Sequence, residues 1–338
     1  MYGKMCFAQR TGNDRRRRDD DMPEMTNYEK RKRIVKLLTA FYLIPLGIMV
    51  MFNTGNSLLR TTYFDLYKDM ETAKYKWDNP VVLLLITGIV LLLLYRLSVT
   101  GWFRQTEQLP LIALSFGTAM SLVIVLLVRG TAICDGETVS EIAVSFMQGN
   151  YDAFRQGEYL YNYSFQIGLT AFLEVIYHLT GIRNYLVFQF INVMAVTGIL
   201  FSLDQITKEL FSENVRKLEA ILSMGMLPLF LFSTFVYGDL IGWTFGMLAI
   251  WQMLCYLKRD GGKYLIRIAV LLACGIVIKS NINIVLVAVV IAVLLNCFQK
   301  RKYRHLLYIL PVILLPVMCN SVIEGVYVQR AGLDRYPE

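Results

Sequence analysis

Val81–Tyr95 reads VVLLLITGIVLLLLY and Leu109–Val128 reads LPLIALSFGTAMSLVIVLLV, neither with an Asp, Glu, Lys or Arg. About 20 such residues span the hydrocarbon of a bilayer. Backbone groups in lipid must pair within the segment, so these runs are helices. Working outward by the same criterion gives nine expected spans, near residues 37–56, 80–97, 109–128, 185–203, 218–237, 240–257, 264–279, 282–298 and 306–322. The expected fold is all-α and polytopic.

Composition agrees. Of the 338 residues 56% are hydrophobic and 18% charged, against about 25% charged in ordinary soluble domains. The net charge of +8 does not argue for nucleic acid as a partner. The basic residues sit in short segments beside apolar runs, where Lys and Arg set membrane orientation. Cys6, Cys134, Cys255, Cys274, Cys297 and Cys319 are scattered without a CxxC, and most lie in apolar runs as small hydrophobes. Two histidines, His178 and His305, are too few for a His-based metal site, so no metal ligand set is assigned. RRRRDDD (Arg15–Asp21) and EKRKR (Glu29–Arg33) make residues 1–35 a disordered basic tail. No secretory signal pattern is present there.

The loop charges orient the chain. With the N-terminal tail cytoplasmic, 57–79 is an outer loop, 98–108 an inner one and 129–184 an outer one. Ser164–Thr180 is apolar enough to consider as a tenth span. If it crossed, KRDGGK (Lys258–Lys263) and QKRKYRH (Gln299–His305) would fall outside, against the positive-inside rule. Gln166, Thr170, Glu174 and His178 recur every four residues as a polar stripe, which suits an interfacial helix. A second surface helix precedes it, with Thr138-Val-Ser-Glu141 fitting a capping box. The transmembrane domain then covers 36–322, with 323–338 a short outer tail, in a plasma-membrane protein.

The suggestive polar residues gather at the outer face. Asp135 and Glu137 in ICDGETVSE could act as a base, or simply begin a helix, where acids are favoured. Arg129, Arg155, Arg183 and Lys279 share that face and could hold a phosphate. Lys279 stands with Ser280, Asn281 and Asn283 between apolar segments; a charge so near hydrocarbon marks function or snorkels. Gly238, Gly242 and Gly246, four apart, make one flat helix face for close packing. Asp239 sits at its outer end.

The succession of blocks resembles the bacterial GT-C superfamily glycosyltransferases related to protein mannosyltransferases (glycosyltransferase family 39). The blocks are Asp135-Gly136-Glu137, YLYNYSFQIG (Tyr159–Gly168), NYLVFQFINV (Asn184–Val193), FVYG (Phe235–Gly238) and IKSNINIVLVA (Ile278–Ala288). Ser164 stands where such chains usually carry proline, and they usually continue with further spans, so an end at Glu338 reads as a shortened product. The resemblance implies transfer of a sugar from a polyprenyl-phosphate carrier to an acceptor at the outer face. It implies Asp135 as base with Glu137 in reserve, Arg155, Arg183 and Lys279 on the departing phosphate, and Tyr163 and Gln166 along the sugar or lipid path. Asp239 and Asn281 complete the expected site. The competing readings are a lipid or polysaccharide transporter or flippase, whose site belongs near the midplane, and a non-catalytic membrane subunit.

Overall fold

The computed structural model describes residues 43–65, 69–301 and 303–337, with scattered positions between 29 and 41. The tail expected over 1–35 lies almost wholly outside the described residues. The chain divides into two units, Met1–Tyr95 and Arg96–Glu338.

In the first unit α1 (Leu43–Leu59) leads into an antiparallel hairpin, β1 (Arg60–Asp65) and β2 (Asp69–Trp77). The hairpin replaces the plain loop expected at 57–79. Thr61, Thr62 and Tyr63 favour extended backbone, and the Arg60 guanidinium stacks 4.2 Å over the Trp77 ring at the open end of the hairpin, away from its turn. α2 (Pro80–Ser98) follows, with no buried residue; a helix this apolar and uncovered is one that lipid covers.

The second unit carries α3 (Gly101–Gln105), α4 (Leu109–Val128), α5 (Asp135–Met147), α6 (Tyr159–Asn162), α7 (Ile167–Thr180) and α8 (Tyr185–Leu210). Then come α9 (Glu213–Met224), α10 (Leu227–Leu231), α11 (Asp239–Arg259), α12 (Gly262–Ile278), α13 (Asn283–Lys300) and α14 (Ile309–Ala331). Six helices of the described chain are long and apolar enough to cross a bilayer: α2, α4, α8, α11, α13 and α14, the last two with their preceding turns. α12, of 17 residues, reaches the lower length limit for a span. The protein is an all-α polytopic membrane protein.

Residues 218–237, read from sequence as one span, form no single helix. α9 stops at Gly225, α10 opens with Pro228 in its first turn, and a single 3-10 turn covers Phe232–Thr234. The segment still runs from end to end of the bundle. Lys217 reaches the Phe103 carbonyl at 3.3 Å, whereas Gln189 donates to Gly130 and Thr234 carbonyls at 2.7 and 2.8 Å. Asn192 donates to those of Ser233 and Phe235 at 3.2 and 2.7 Å. Neighbouring amides thus satisfy the carbonyls that the break releases, which makes a broken helix tolerable in a bilayer.

The capping box expected at Thr138 does not form. α5 begins one turn earlier, at Asp135, so Thr138 lies inside the helix and its hydroxyl turns back toward the Cys134 carbonyl. α7 has 14 residues, about 21 Å at 1.5 Å each against about 30 Å of hydrocarbon. It is too short to span. Its stripe is also turned the other way from an interfacial helix lying free on a surface. Gln166, Thr170 and Glu174 are buried, and only His178 is exposed. α14 explains this: it continues past residue 322 to Ala331, and its Arg330 pairs with Glu174 at 2.7 Å while the Tyr327 hydroxyl donates to the same carboxylate.

The opposite end of the bundle carries other ion pairs. Glu209 meets Lys258 and Arg259, Asp204 meets Arg216 at 2.6 Å, and Asp260 meets Lys300 at 3.1 Å. The basic segments 208–217, 258–263 and 299–305 therefore gather at one end, away from Asp135, as the loop charges require.

Candidate active site

Three close backbone approaches assemble the site. A Cβ on Gly136 would stand 2.4 Å from the Val236 carbonyl oxygen, and one on Gly168 would stand 1.9 Å from that of Val277. Gly242 lies against the Lys279 side chain, 2.7 Å from its Cβ on the same construction. With glycine at these places, α5 presses on the segment before α11, α7 on the last turn of α12, and α11 on the residue that follows α12. The Gly238–Gly242–Gly246 face packs on residues 278–285, as the spacing predicted.

Asp135, in the first turn of α5, is exposed. The Tyr159 hydroxyl faces it and that of Tyr237; burial first, then the neighbouring Tyr237 and Asp135, pushes the Tyr159 phenol well above its ordinary value. Burial likewise raises Tyr237, against the opposing hydrogen bond from the Gln166 amide. Beneath the Tyr237 ring, 4.0 Å from its centre, lies the Lys279 ammonium, paired with Asp239 at 2.8 Å. One continuous cluster therefore joins Asp135, Tyr159, Tyr237, Gln166, Lys279 and Asp239. Its members come from four stretches between residues 135 and 279 that the fold brings to one end.

The other expected site residues surround it differently. Glu137 is exposed on the rim of a neighbouring surface groove that also includes Tyr159. Tyr163 packs against Tyr159 with ring centres 4.9 Å apart and the planes tilted by 44°. Asn281 is exposed in the 3-10 turn directly after Lys279. Arg155 is engaged with Asp152 at 2.8 Å, and Arg183 holds Glu141 through a two-pronged bond of 3.0 and 2.6 Å. Among the described residues no group of three His, Cys, Asp or Glu side chains is arranged to hold a metal ion. Tyr159 and Tyr237 were absent from the residues expected in the site, although both lie in the quoted blocks YLYNYSFQIG and FVYG.

The family model described as dolichyl-phosphate-mannose-protein mannosyltransferase matches residues 167–323. This region is of the GT-C glycosyltransferase type. No curated protein and no solved structure matches the chain. The GT-C region contains Tyr237, Asp239 and Lys279, while Asp135, Tyr159 and Gln166 precede it. The cluster thus joins the GT-C region to the residues just before it.

Proposed function

We propose that this membrane glycosyltransferase moves a sugar from a polyprenyl-phosphate carrier to an acceptor at the outer face of the plasma membrane, with the N-terminus cytoplasmic. The observation that carries the reading is an exposed carboxylate, Asp135, facing Tyr159 and joined through Tyr237 to the Lys279 ammonium. It supplies a proton acceptor and a cation in one polar patch, at the bundle end where a lipid-linked donor would present its headgroup.

In this reading Asp135 takes the proton from the acceptor hydroxyl as its oxygen attacks the anomeric carbon. The bond from that carbon to the phosphate oxygen breaks, and polyprenyl phosphate leaves. Lys279 offsets the charge developing on the phosphate, with Arg155 and Arg183 available by exchanging their present carboxylate partners. Glu137 is the reserve base. Tyr163 and Gln166 line the approach, and Asn281 offers an amide beside Lys279. A single displacement of this kind inverts the anomeric centre.

Purified protein given a labelled polyprenyl-phosphate sugar should release polyprenyl phosphate, and Asp135→Asn should reduce that by at least about 100-fold, the typical contribution of a positioned base. Undiminished turnover in the variant would remove Asp135 from this role. A midplane transport site would need broken helices bearing polar groups there; the broken 225–235 segment has its released carbonyls occupied by Gln189 and Asn192, which favours the enzyme.

A further inference from the structure

Next to the Asp135 cluster the second unit holds a cleft of about 470 Å³, enclosed by the turn before α7, the turn after Lys279, and α14 with the residues following it. We infer that this cleft is a binding site for a neutral, hydroxyl-rich group, a sugar residue carried by either the donor or the acceptor. The inference rests on the glycosyl-transfer reading for its source and on the cleft itself for its chemistry.

Two residues on α14 point to a built site. Asn320 and Glu324 are four apart, on one face of a helix that otherwise reads ILPVILLPVM before them. Both are half-buried and both line the cleft. Polar and charged groups in such an apolar helix are costly and mark function. Asn283 faces them from α13 and Arg335 from beyond α14. The walls also include two aromatic side chains, Phe165 and Tyr336, and the Tyr336 hydroxyl is anchored at 2.6 Å to the Ser164 carbonyl.

This lining selects by chemistry. Asn side chains both donate and accept, Glu accepts and Arg donates, so the set matches hydroxyls, which do both. An anionic headgroup fits less well, because Glu324 repels it and offsets Arg335. A cavity with apolar walls and a few converging polar groups is the usual form of a small-molecule site. Its position is apt. Phe165 adjoins Gln166 in the chain and Ser280 adjoins Lys279, so a sugar here lies beside the cluster that would act on it.

The test uses the full chain in lipid nanodiscs and three probes: octyl mannoside, farnesyl phosphate mannose and farnesyl phosphate. Asn320→Leu and Glu324→Leu should each raise the Kd for octyl mannoside at least tenfold and leave that for farnesyl phosphate unchanged. If farnesyl phosphate mannose weakens by the same factor, the cleft holds the donor's sugar; if it does not, the acceptor's. Unchanged octyl mannoside binding overturns the inference, as does an equal loss for farnesyl phosphate. Asn283→Ala, on a different helix, carries the same expectation, so a lowered unfolding midpoint in one α14 variant leaves the test readable. Variant-sensitive mannoside binding in a protein that turns over no lipid-linked sugar would keep the cleft and sink the transfer reading.

Discussion

Tyr237 is the residue on which the cluster turns. Its hydroxyl lies between Tyr159 and Gln166, and its ring covers Lys279. Tyr237→Phe removes the hydroxyl and keeps the ring. It should lower turnover about tenfold, through loss of one link in a polar network, and lower stability by about 1–3 kcal/mol, because the buried Gln166 amide loses its acceptor. Equal turnover in the variant would show that the Tyr159–Gln166 link contributes nothing to the reaction. Gly168 poses the opposite case, because its failing is steric. Gly168→Ala would force a Cβ to within 1.9 Å of the Val277 carbonyl, so α7 must retreat and carry Gln166 from Tyr237. Crowding of this kind costs about 1–3 kcal/mol, and thermal unfolding should register it. The charged members of the site were legible in sequence because an Asp or Lys beside hydrocarbon is conspicuous. The tyrosines were not, since a tyrosine in an apolar block reads equally as packing.

Among the elements, α7 ends at Thr180 as expected but begins at Ile167 after a 3-10 turn, and its polar stripe faces inward. Its stripe of Gln166, Thr170, Glu174 and His178 was visible at helical spacing, but the cation that draws it inward, Arg330, lies 156 residues away from Glu174. Periodicity finds a face and cannot say what meets it. The broken 218–237 segment fails for a related reason: Gly225 and Pro228 were visible, but average hydropathy passes over a break that Gln189 and Asn192 satisfy from another helix. Arg330→Met leaves the Glu174 side chain, 5% exposed, with only the exposed His178 ring 3.6 Å away in place of its guanidinium partner. Removing one partner of a fully buried pair costs about 3–5 kcal/mol. Arg330 is itself 37% exposed, so water screens part of this and about 2 kcal/mol is expected in denaturant unfolding. Burial opposes ionisation of Glu174, but the Arg330 and Tyr327 hydrogen bonds prevail and hold its carboxyl below the ordinary 4.5. Its unfolded value is therefore the higher. The stabilisation is fully present above about pH 4.5 and is lost as pH falls through the lower folded value. Unfolding midpoints of wild type and Arg330→Met should converge below pH 4.5, and a constant gap down to pH 3 would show that the pair is not the source.

At the scale of the whole molecule, two ends with different chemistry follow from one fact of sequence, the placement of basic loops. Glu209, Asp204 and Asp260 neutralise part of the basic end, while the Asp135–Lys279 cluster and the cleft occupy the other. The exposed Asp152 side chain lies in the loop between α5 and α7, and Lys263 is exposed in the first turn of α12. Between them the chain passes along α8, returns by α9 and α10, and passes again along α11, three crossings in all. An odd number puts the two positions on opposite sides. Single cysteines at Asp152 and Lys263, in a background with the six native cysteines replaced, should label with a membrane-impermeant maleimide from opposite faces of sealed vesicles, Asp152 from the outside. The broken segment makes this a sharp test: were α9 and α10 to enter and leave by the same face, only two crossings would remain. Both cysteines would then label from one side, and the basic segment 258–263 would lie beside Asp135, against the positive-inside rule.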